Sequence, residues 1–336
     1  MPSKNSSSLA AVRDVAFSCD DAGVPFLKVA VWSLLSHYGA RVSLRINVFE
    51  GWAGHSPASK AALHEIVARF PFASLRYVNV ETAVAPFADV IMNREGSRWN
   101  VFTWTPVLTP ALLPDAMGNV IHFDIDMLFN ADISPLFELA LGENLIACCH
   151  EYDQDGDNAG RVVWEKGILP REVERYFNTG VLVFDVAKCR AERTWEKIVA
   201  WYRANYVIAD RIEQDAWNAL YWSRTRALDV RWNFHDRNIK NYAKWDVTKK
   251  YWLGNTPASC LAASLNPAIL HFWGPKKPWK TSHRPYRRLY HAAMKAVGLP
   301  VPREPLLAPY YNLVNALYFR IIRRRLARLQ QKEGSR

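Results

Sequence analysis

The chain of 336 residues has few cysteines: Cys19, Cys148, Cys149, Cys189 and Cys260, with neither a CxxC pair nor a Cys/His spacing suited to zinc. An odd count without such spacing excludes a disulfide framework and a structural zinc site, and it fits a reduced compartment, the cytoplasm. The opening stretch MPSKNSSSLAAVRDVAF lacks the unbroken apolar core of a secretory leader, because Arg13 and Asp14 interrupt it. Nowhere do 18 apolar residues follow one another, so no helix is expected to span a bilayer. Internal repeats and long polar tracts are also missing, which excludes a solenoid and a disordered chain. No recognisable nucleic-acid module is present either. The formal charge of +11 would invite that reading, but residues 309–336 carry seven basic side chains against the single Glu333 and so hold +6 of the excess. The basic character belongs to a tail, and nucleic acid is not expected as a partner.

What is present is an apolar half, 50% of the residues, enough for one large core or two modest ones. DVAFS (14–18) reads as a buried strand and VPFLKVAVWSLLSHY (24–38) as a helix with Pro25 in its first turn. A strand at 42–49, a helix at 56–70 opened by serine and proline, and a strand at 74–80 complete a βαβαβ unit. An irregular stretch from Arg94 to Asn100 follows, then a helix near 102–112 and the strand NVIHFD (119–124). Further on come strands at 145–150, 178–186 and 268–273, helices at 187–203 and 284–296, and a helix starting at 213. Residues 236–266, rich in lysine and aromatics, read as an insertion. The fold class is α/β: a mainly parallel sheet flanked by helices, with ligands at the carboxyl ends of its strands.

At one such end the chain places Asp124 and Asp126, one residue apart and bounded by apolar sequence. Two carboxylates so close repel each other and resist burial, so a cation must compensate them, unless they simply face water or cap a turn. Hard oxygen ligands suit magnesium or manganese, which commonly sit between carboxylates and a diphosphate. His271, in ILHFWGPKKPWK, ends another strand and is followed by Gly274 and Lys277. A lone histidine there is more often structural, but a glycine permitting close approach and a lysine six residues on suit a diphosphate. Asn178, in YFNTGVLVFDV, is as readily a turn residue as a ligand. EQD (213–215), taken alone, is a helix start favoured by the dipole. The loop DQDGDNAGRVVWE imitates a calcium loop through Asp153, Asp155 and Asp157, but Asn158 and Trp164 occupy its glycine and glutamate positions, so a solvated loop is the better reading.

Five motifs in order, DVAFSCDDAGVPFLKVAVWSLL, LLPDAMGNVIHFDIDMLF, YFNTGVLVFDVAKCR, EQDAWNAL and HFWGPKKPW, give the chain from Asp14 to Trp279 its resemblance to glycosyltransferase family 8. This is the retaining group that includes glycogenin and bacterial lipopolysaccharide galactosyl- and glucosyltransferases. The resemblance implies a GT-A type fold over 14–300, with a nucleotide-binding half and an acceptor-binding half. It implies Asp124, Asp126 and His271 as ligands of Mn2+ (or Mg2+), and Gly274 and Lys277 as diphosphate contacts. Ser18 and Asp20 fall at the nucleotide-binding strand end, Asn178, Gln214 and Asp215 along the donor sugar, and Gln214 beneath the anomeric carbon. The expected reaction is transfer of glucose or galactose from a UDP-sugar to a glycan or glycolipid such as a lipopolysaccharide core. Three positions depart from the family pattern: Ala22-Gly23 replace Asn-Tyr, Pro106 replaces an arginine that Arg94 or Arg98 would have to supply, and Glu213 replaces the first aspartate of DQD. Two other functions compete. A phosphohydrolase of the haloacid dehalogenase type also uses DxD, but on its first strand, and an inactive sugar-nucleotide-binding scaffold would not need Asp124, Asp126, His271 and Lys277 intact.

Outside that domain, residues 1–13 are expected to be disordered and 301–336 to form a basic amphipathic tail. In the tail Tyr310, Leu313, Val314, Leu317, Ile321 and Leu329 recur at helical spacing, with Arg320, Arg323, Arg324 and Arg328 largely on other sides. Either the helix packs on the domain, or it lies on the anionic inner face of the cytoplasmic membrane, which is the expected partner.

Overall fold

The computed structural model describes residues 12–39, 42–51, 53–92, 101–152, 167, 169, 176–209, 211–244, 255–280, 284–304 and 306–333. Among these, β1 (Val12–Ser18), β2 (Ser43–Glu50), β3 (Ala73–Asn79), β4 (Asn119–Phe123), β5 (Met127–Phe129) and β6 (Ile146–Cys148) come first. They are followed by β7 (His150–Tyr152), β8 (Tyr176–Phe177), β9 (Val181–Asp185), β10 (Thr225–Ala227), β11 (Phe234–His235) and β12 (Ile269–His271). The large sheet runs β10-β6-β9-β4-β1-β2-β3, with two small sheets, β11-β12-β5 and β7-β8, beside it. Strand β1 begins at Val12, two residues inside the stretch expected to be disordered. Residues 1–11, Arg94, Arg98 and the aspartates of the calcium-like loop lie outside the described residues.

The sheet is buried on both faces, as parallel β-α-β winding requires. Along β1, Val15 and Phe17 enter one hydrophobic cluster and Ala16 the other, because successive side chains point to opposite faces. The helix Val24–His37 starts with Pro25 in its first turn, and the helix Pro57–Val67 is capped by Ser56, whose hydroxyl accepts from Ser59 N at 3.2 Å.

Strand β9 is the exception to the parallel pattern. It runs antiparallel to both β4 and β6, so its first residues lie beside the last residues of β4. Asp124 N donates to Gly180 O at 3.0 Å as a result. The helix expected over 187–203 is two helices, Val186–Ala191 and Thr194–Asn205, broken where Arg193 adopts φ 53°. Left-handed backbone cannot continue a right-handed helix.

The section 236–266, which the sequence left unplaced, contributes the helices Asn238–Lys244 and Pro257–Leu265, the second opened by a Thr256/Ser259 capping box. These two helices seat the C-terminal helix Ala308–Glu333. Ile322 is wholly buried there, and Tyr318, Phe319, Ile321, Leu326 and Leu329 pack against the main core. The Phe319 ring meets Tyr286 edge-on at 5.2 Å, and Arg325 Nη1 donates to Tyr242 O at 2.7 Å. The tail is therefore built into the fold, and its expected apolar stripe is divided. Ile321 and Leu329 cover the domain, whereas Tyr310, Leu313 and Leu317 are exposed together with Leu306 and Leu307. Among the described residues no helix is long and apolar enough to cross a membrane. All five cysteines are buried thiols.

Candidate active site

Two sheets converge on the carboxyl end of β4. Asp124 and Asp126 lie between β4 and β5, and β12 pairs antiparallel with β5 so that His271 stands opposite Met127. Phe272 N donates to Asp126 O at 2.9 Å, which ties the two segments together. His271 Nε2 lies 3.2 Å from Asp126 Oδ1 and 3.5 Å from Asp124 Oδ2. One ligand atom from each of the three falls within 4.8 Å of the others. Lys277 Nζ bonds Asp126 Oδ2 and donates to Phe272 O at 3.0 Å.

The charges explain how an apolar strand tolerates this turn. Burial pushes the Asp124 carboxyl up to about 6, with the His271 imidazolium opposing and Asp126 adding to the rise. Burial also disfavours the Asp126 carboxylate, but His271 and Lys277 outweigh it and hold Asp126 well below the usual carboxylate range. Burial lowers His271, yet the two carboxylates prevail and raise it. The pair thus demands positive charge, which Lys277 supplies and His271 adds to when it is protonated. Two carboxylates and one imidazole are a suitable donor set for Mn2+ or Mg2+, with His271 Nε2 deprotonated when it ligates.

Close packing makes two glycines necessary. A Cβ on Gly180 would come within 2.6 Å of His271 Cε1 and 2.9 Å of Asp124 Oδ2. Gly274 has φ +82°, and a Cβ there would meet the Arg237 guanidinium at 3.3 Å. Arg237 itself lies over the Trp273 ring, 5.6 Å from its centroid.

The antiparallel β9 brings Asn178 to this same edge, and the helix Glu213–Tyr221 presents its first turn to it. Asn178 Nδ2 donates to Gln214 Oε1 at 3.2 Å, as does Thr179 N. Glu213 is 6% exposed, and its Oε1 accepts from Thr179 Oγ1 at 3.2 Å. Burial raises its carboxyl well above the usual range. Asp215 is 1% exposed and bonds Tyr176 and Arg211 N at 2.6 and 2.9 Å, so its carboxylate is engaged behind Gln214. Ser18 ends β1, the parallel neighbour of β4, and Asp20 follows two residues on. Ser18 Oγ accepts from Thr105 Oγ1 at 2.6 Å, and Asp20 Oδ1 accepts from Gly23 N at 2.8 Å. The residues missed by sequence reading are Tyr176, Thr179 and Asn233; the first two lie inside the YFNTGVLVFDV run, and Asn233 between Trp232 and Phe234.

Residues 14–283 match the profile of Glycosyl transferase family 8. The chain belongs to this family. Over 271 residues, 77% of the chain, it is 26% identical to general stress protein A of Bacillus subtilis, of which it covers 84%. The family 8 chain also shares its fold with the galactosyltransferase LgtC solved with donor and acceptor sugar analogs, at TM-score 0.66 and 20% identity over 89% of this chain and 99% of that one. It is similar to the bifunctional glycosyltransferase WbbM at TM-score 0.68 and 21% identity, covering 92% of this chain but 52% of the other. The family's activity is glycosyl transfer, and the mainly parallel sheet with its flanking helices is the GT-A architecture.

Proposed function

We propose that this glycosyltransferase moves glucose or galactose, with retention, from a UDP-sugar to a glycan or glycolipid acceptor such as a lipopolysaccharide core, using Mn2+ or Mg2+ held by Asp124, Asp126 and His271. The observation that carries this reading is the convergence of those three side chains with Lys277 at one strand end. When bound, the cation supplies charge neutralisation to the leaving diphosphate. Lys277 adds a second positive charge at the same oxygens, and Gly274 lets the backbone approach them. Ser18 and Asp20 lie on the nucleotide side, and Asn178, Gln214 and Glu213 on the sugar side. No carboxylate there is poised as a nucleophile. Burial raises the Glu213 carboxyl well above the usual range, Asp215 is turned onto Tyr176, and Gln214 Oε1 already accepts from Asn178 Nδ2 and Thr179 N. Retention then proceeds by departure and attack on one face, with the leaving phosphate oxygen taking the acceptor hydroxyl's proton. The test is a panel of nucleotide sugars without acceptor: hydrolysis of UDP-glucose or UDP-galactose that requires Mn2+ is expected, and hydrolysis only of non-uridine donors would overturn the donor assignment.

The acceptor reading is supported by the outer face of the C-terminal helix. Tyr310, Leu313 and Leu317 are exposed at successive turns of the helix, with Leu306 just before it, and Arg320, Arg324 and Arg328 continue that line, not other sides of the helix as the sequence pattern suggests. Such a face matches an anionic bilayer, each arginine near which is worth about 1 kcal/mol. Deleting the helix would uncover the core around Ile322, so charge reversal is the cleaner test. Arg320, Arg323, Arg324 and Arg328 all changed to glutamate should abolish sedimentation with phosphatidylglycerol vesicles at low salt while leaving donor hydrolysis intact. Unaltered vesicle binding would show that the helix is not the anchor.

A further inference from the structure

A line of side-chain hydrogen bonds runs through the site from the His271 ring to Asp215. His271 Nδ1 contacts Asn233 Oδ1 at 2.8 Å, and Asn233 Nδ2 contacts Asn178 Oδ1 at 2.8 Å. Asn178 Nδ2 reaches Gln214 Oε1 at 3.2 Å, Gln214 Nε2 reaches Tyr176 Oη at 3.0 Å, and Tyr176 Oη reaches Asp215 Oδ1 at 2.6 Å. Asn233, Tyr176 and Asp215 are 3% exposed or less, so none of these groups can exchange its partner for bulk water at small cost.

Backbone donors fix the direction of every bond in the line. A main-chain N–H can only donate, and Gly180 N lies 2.8 Å from the side-chain atom of Asn178 that faces it, which must therefore be the oxygen. The Asn233 atom against that oxygen is then the amide nitrogen, and the Asn233 oxygen is turned to His271. The imidazole Nδ1 must carry a hydrogen to satisfy it. This leaves Nε2, the nitrogen facing Asp124 and Asp126, as the one whose lone pair can reach a cation. In the other direction Thr179 N donates to Gln214 Oε1 at 3.2 Å, which fixes the Gln214 amide. Its nitrogen donates to Tyr176, so the Tyr176 hydroxyl donates onward to Asp215. Reversing the Asn178 amide would set donor against donor at Gly180 N and acceptor against acceptor at Gln214 Oε1, and reversing the Gln214 amide would turn its nitrogen on Thr179 N.

We propose that Asn233 and Tyr176 are positioning residues for the transfer reaction, the two ends of one relay that sets the His271 ring for the cation and the Gln214 amide for the donor sugar. Neither touches the reacting atoms. Asn233 acts through His271 and Asn178, and Tyr176, held by Asp215, acts through Gln214. The proposal rests on the metal and sugar assignments made above.

Three substitutions separate the relay from a general packing role. Asn233→Leu removes the acceptor for His271 Nδ1–H, and loss of such an orienting partner typically weakens a metal site by about 10–100-fold. Asn233→Asp keeps an acceptor for His271 but sets an oxygen against Asn178 Oδ1. Tyr176→Phe removes the bond to Gln214 and leaves the cation site untouched. Manganese affinity is read by electron paramagnetic resonance of free Mn2+ on the full chain with no nucleotide present, turnover by hydrolysis of the UDP-hexose, and folding by thermal melting. Asn233→Leu should lose Mn2+ affinity by about tenfold or more. Asn233→Asp should keep Mn2+ affinity within a few-fold yet lose turnover about tenfold with little change in KM, and Tyr176→Phe should show the same split. The relay is overturned if Asn233→Leu binds Mn2+ as wild type does, or if Asn233→Asp and Tyr176→Phe, both folded, turn over at the wild-type rate. Wild-type protein that binds Mn2+ but hydrolyses no UDP-hexose would overturn the donor assignment instead, and the Mn2+ measurements would still decide the Asn233 end of the relay.

Discussion

Asp126→Ala is expected to lower sugar transfer by about three orders of magnitude, the equivalent of the several kcal/mol that a bound cation contributes to a developing diphosphate. Asp126 is the point where the site's charges meet. His271 Nε2 lies 3.2 Å away and Lys277 is bonded to it, so its removal costs a metal ligand and releases the lysine at once. The fold should survive, because the Asp126 side chain is only partly buried and bonds Lys277 and His271, not the core. Manganese binding and UDP binding should weaken in parallel, and excess chelator should reproduce the loss in the wild-type protein. A full rate in excess chelator would dismiss the metal from the mechanism.

Lys277 and Gln214 should fail in different ways. Lys277 faces charge present on the donor before and during bond breaking, so Lys277→Ala should raise KM and lower turnover together. A charge-assisted hydrogen bond of about 1.5–3 kcal/mol corresponds to about 10–100-fold in kcat/KM. Gln214 is held by Asn178, Thr179 and Tyr176, so its amide is preorganised and its contribution is expected in the transition state. Gln214→Ala should leave KM within a few-fold and lower kcat about 100-fold. Steady-state kinetics on UDP-hexose hydrolysis reads both, and wild-type turnover in Gln214→Ala would remove this residue from the reacting carbon.

Much of the site was legible because its chemistry is written in short contiguous runs. The pair Asp124 and Asp126 stood out because two carboxylates one residue apart need compensating charge, and Gly274 with Lys277 because they follow His271 in one short run. The second strand end of the site was legible too, since His271 lies at the end of a strand expected from its apolar sequence. Asp215 was expected along the donor sugar by the family resemblance; what the structure adds is that its carboxylate accepts from Tyr176 and from Arg211 N. The break at Arg193 was not legible, since nothing in its neighbours opposes helix. The role of 236–266 was hidden for a related reason: its helices have meaning only beneath the C-terminal helix, whose sequence begins more than forty residues later.

The sequence by itself determined the strand and helix alternation, the acidic strand end, the family and the basic helix at the C-terminus, because periodicity and charge are local properties carried by adjacent residues. Tertiary structure decided the rest. The antiparallel course of β9 sets Gly180 and Asn178 against Asp124, and the pairing of β12 with β5 sets His271 and Lys277 against Asp126 across 151 residues of chain. Asn233 and Tyr176 became recognisable only through their partners, since a buried asparagine or tyrosine reads as an ordinary turn or core residue until the atom it bonds is known. The division of the C-terminal helix into a buried face and an exposed one was likewise set by where the helices Asn238–Lys244 and Pro257–Leu265 stand. An amphipathic pattern specifies that a face will be covered, but the surface that covers it comes from elsewhere in the chain.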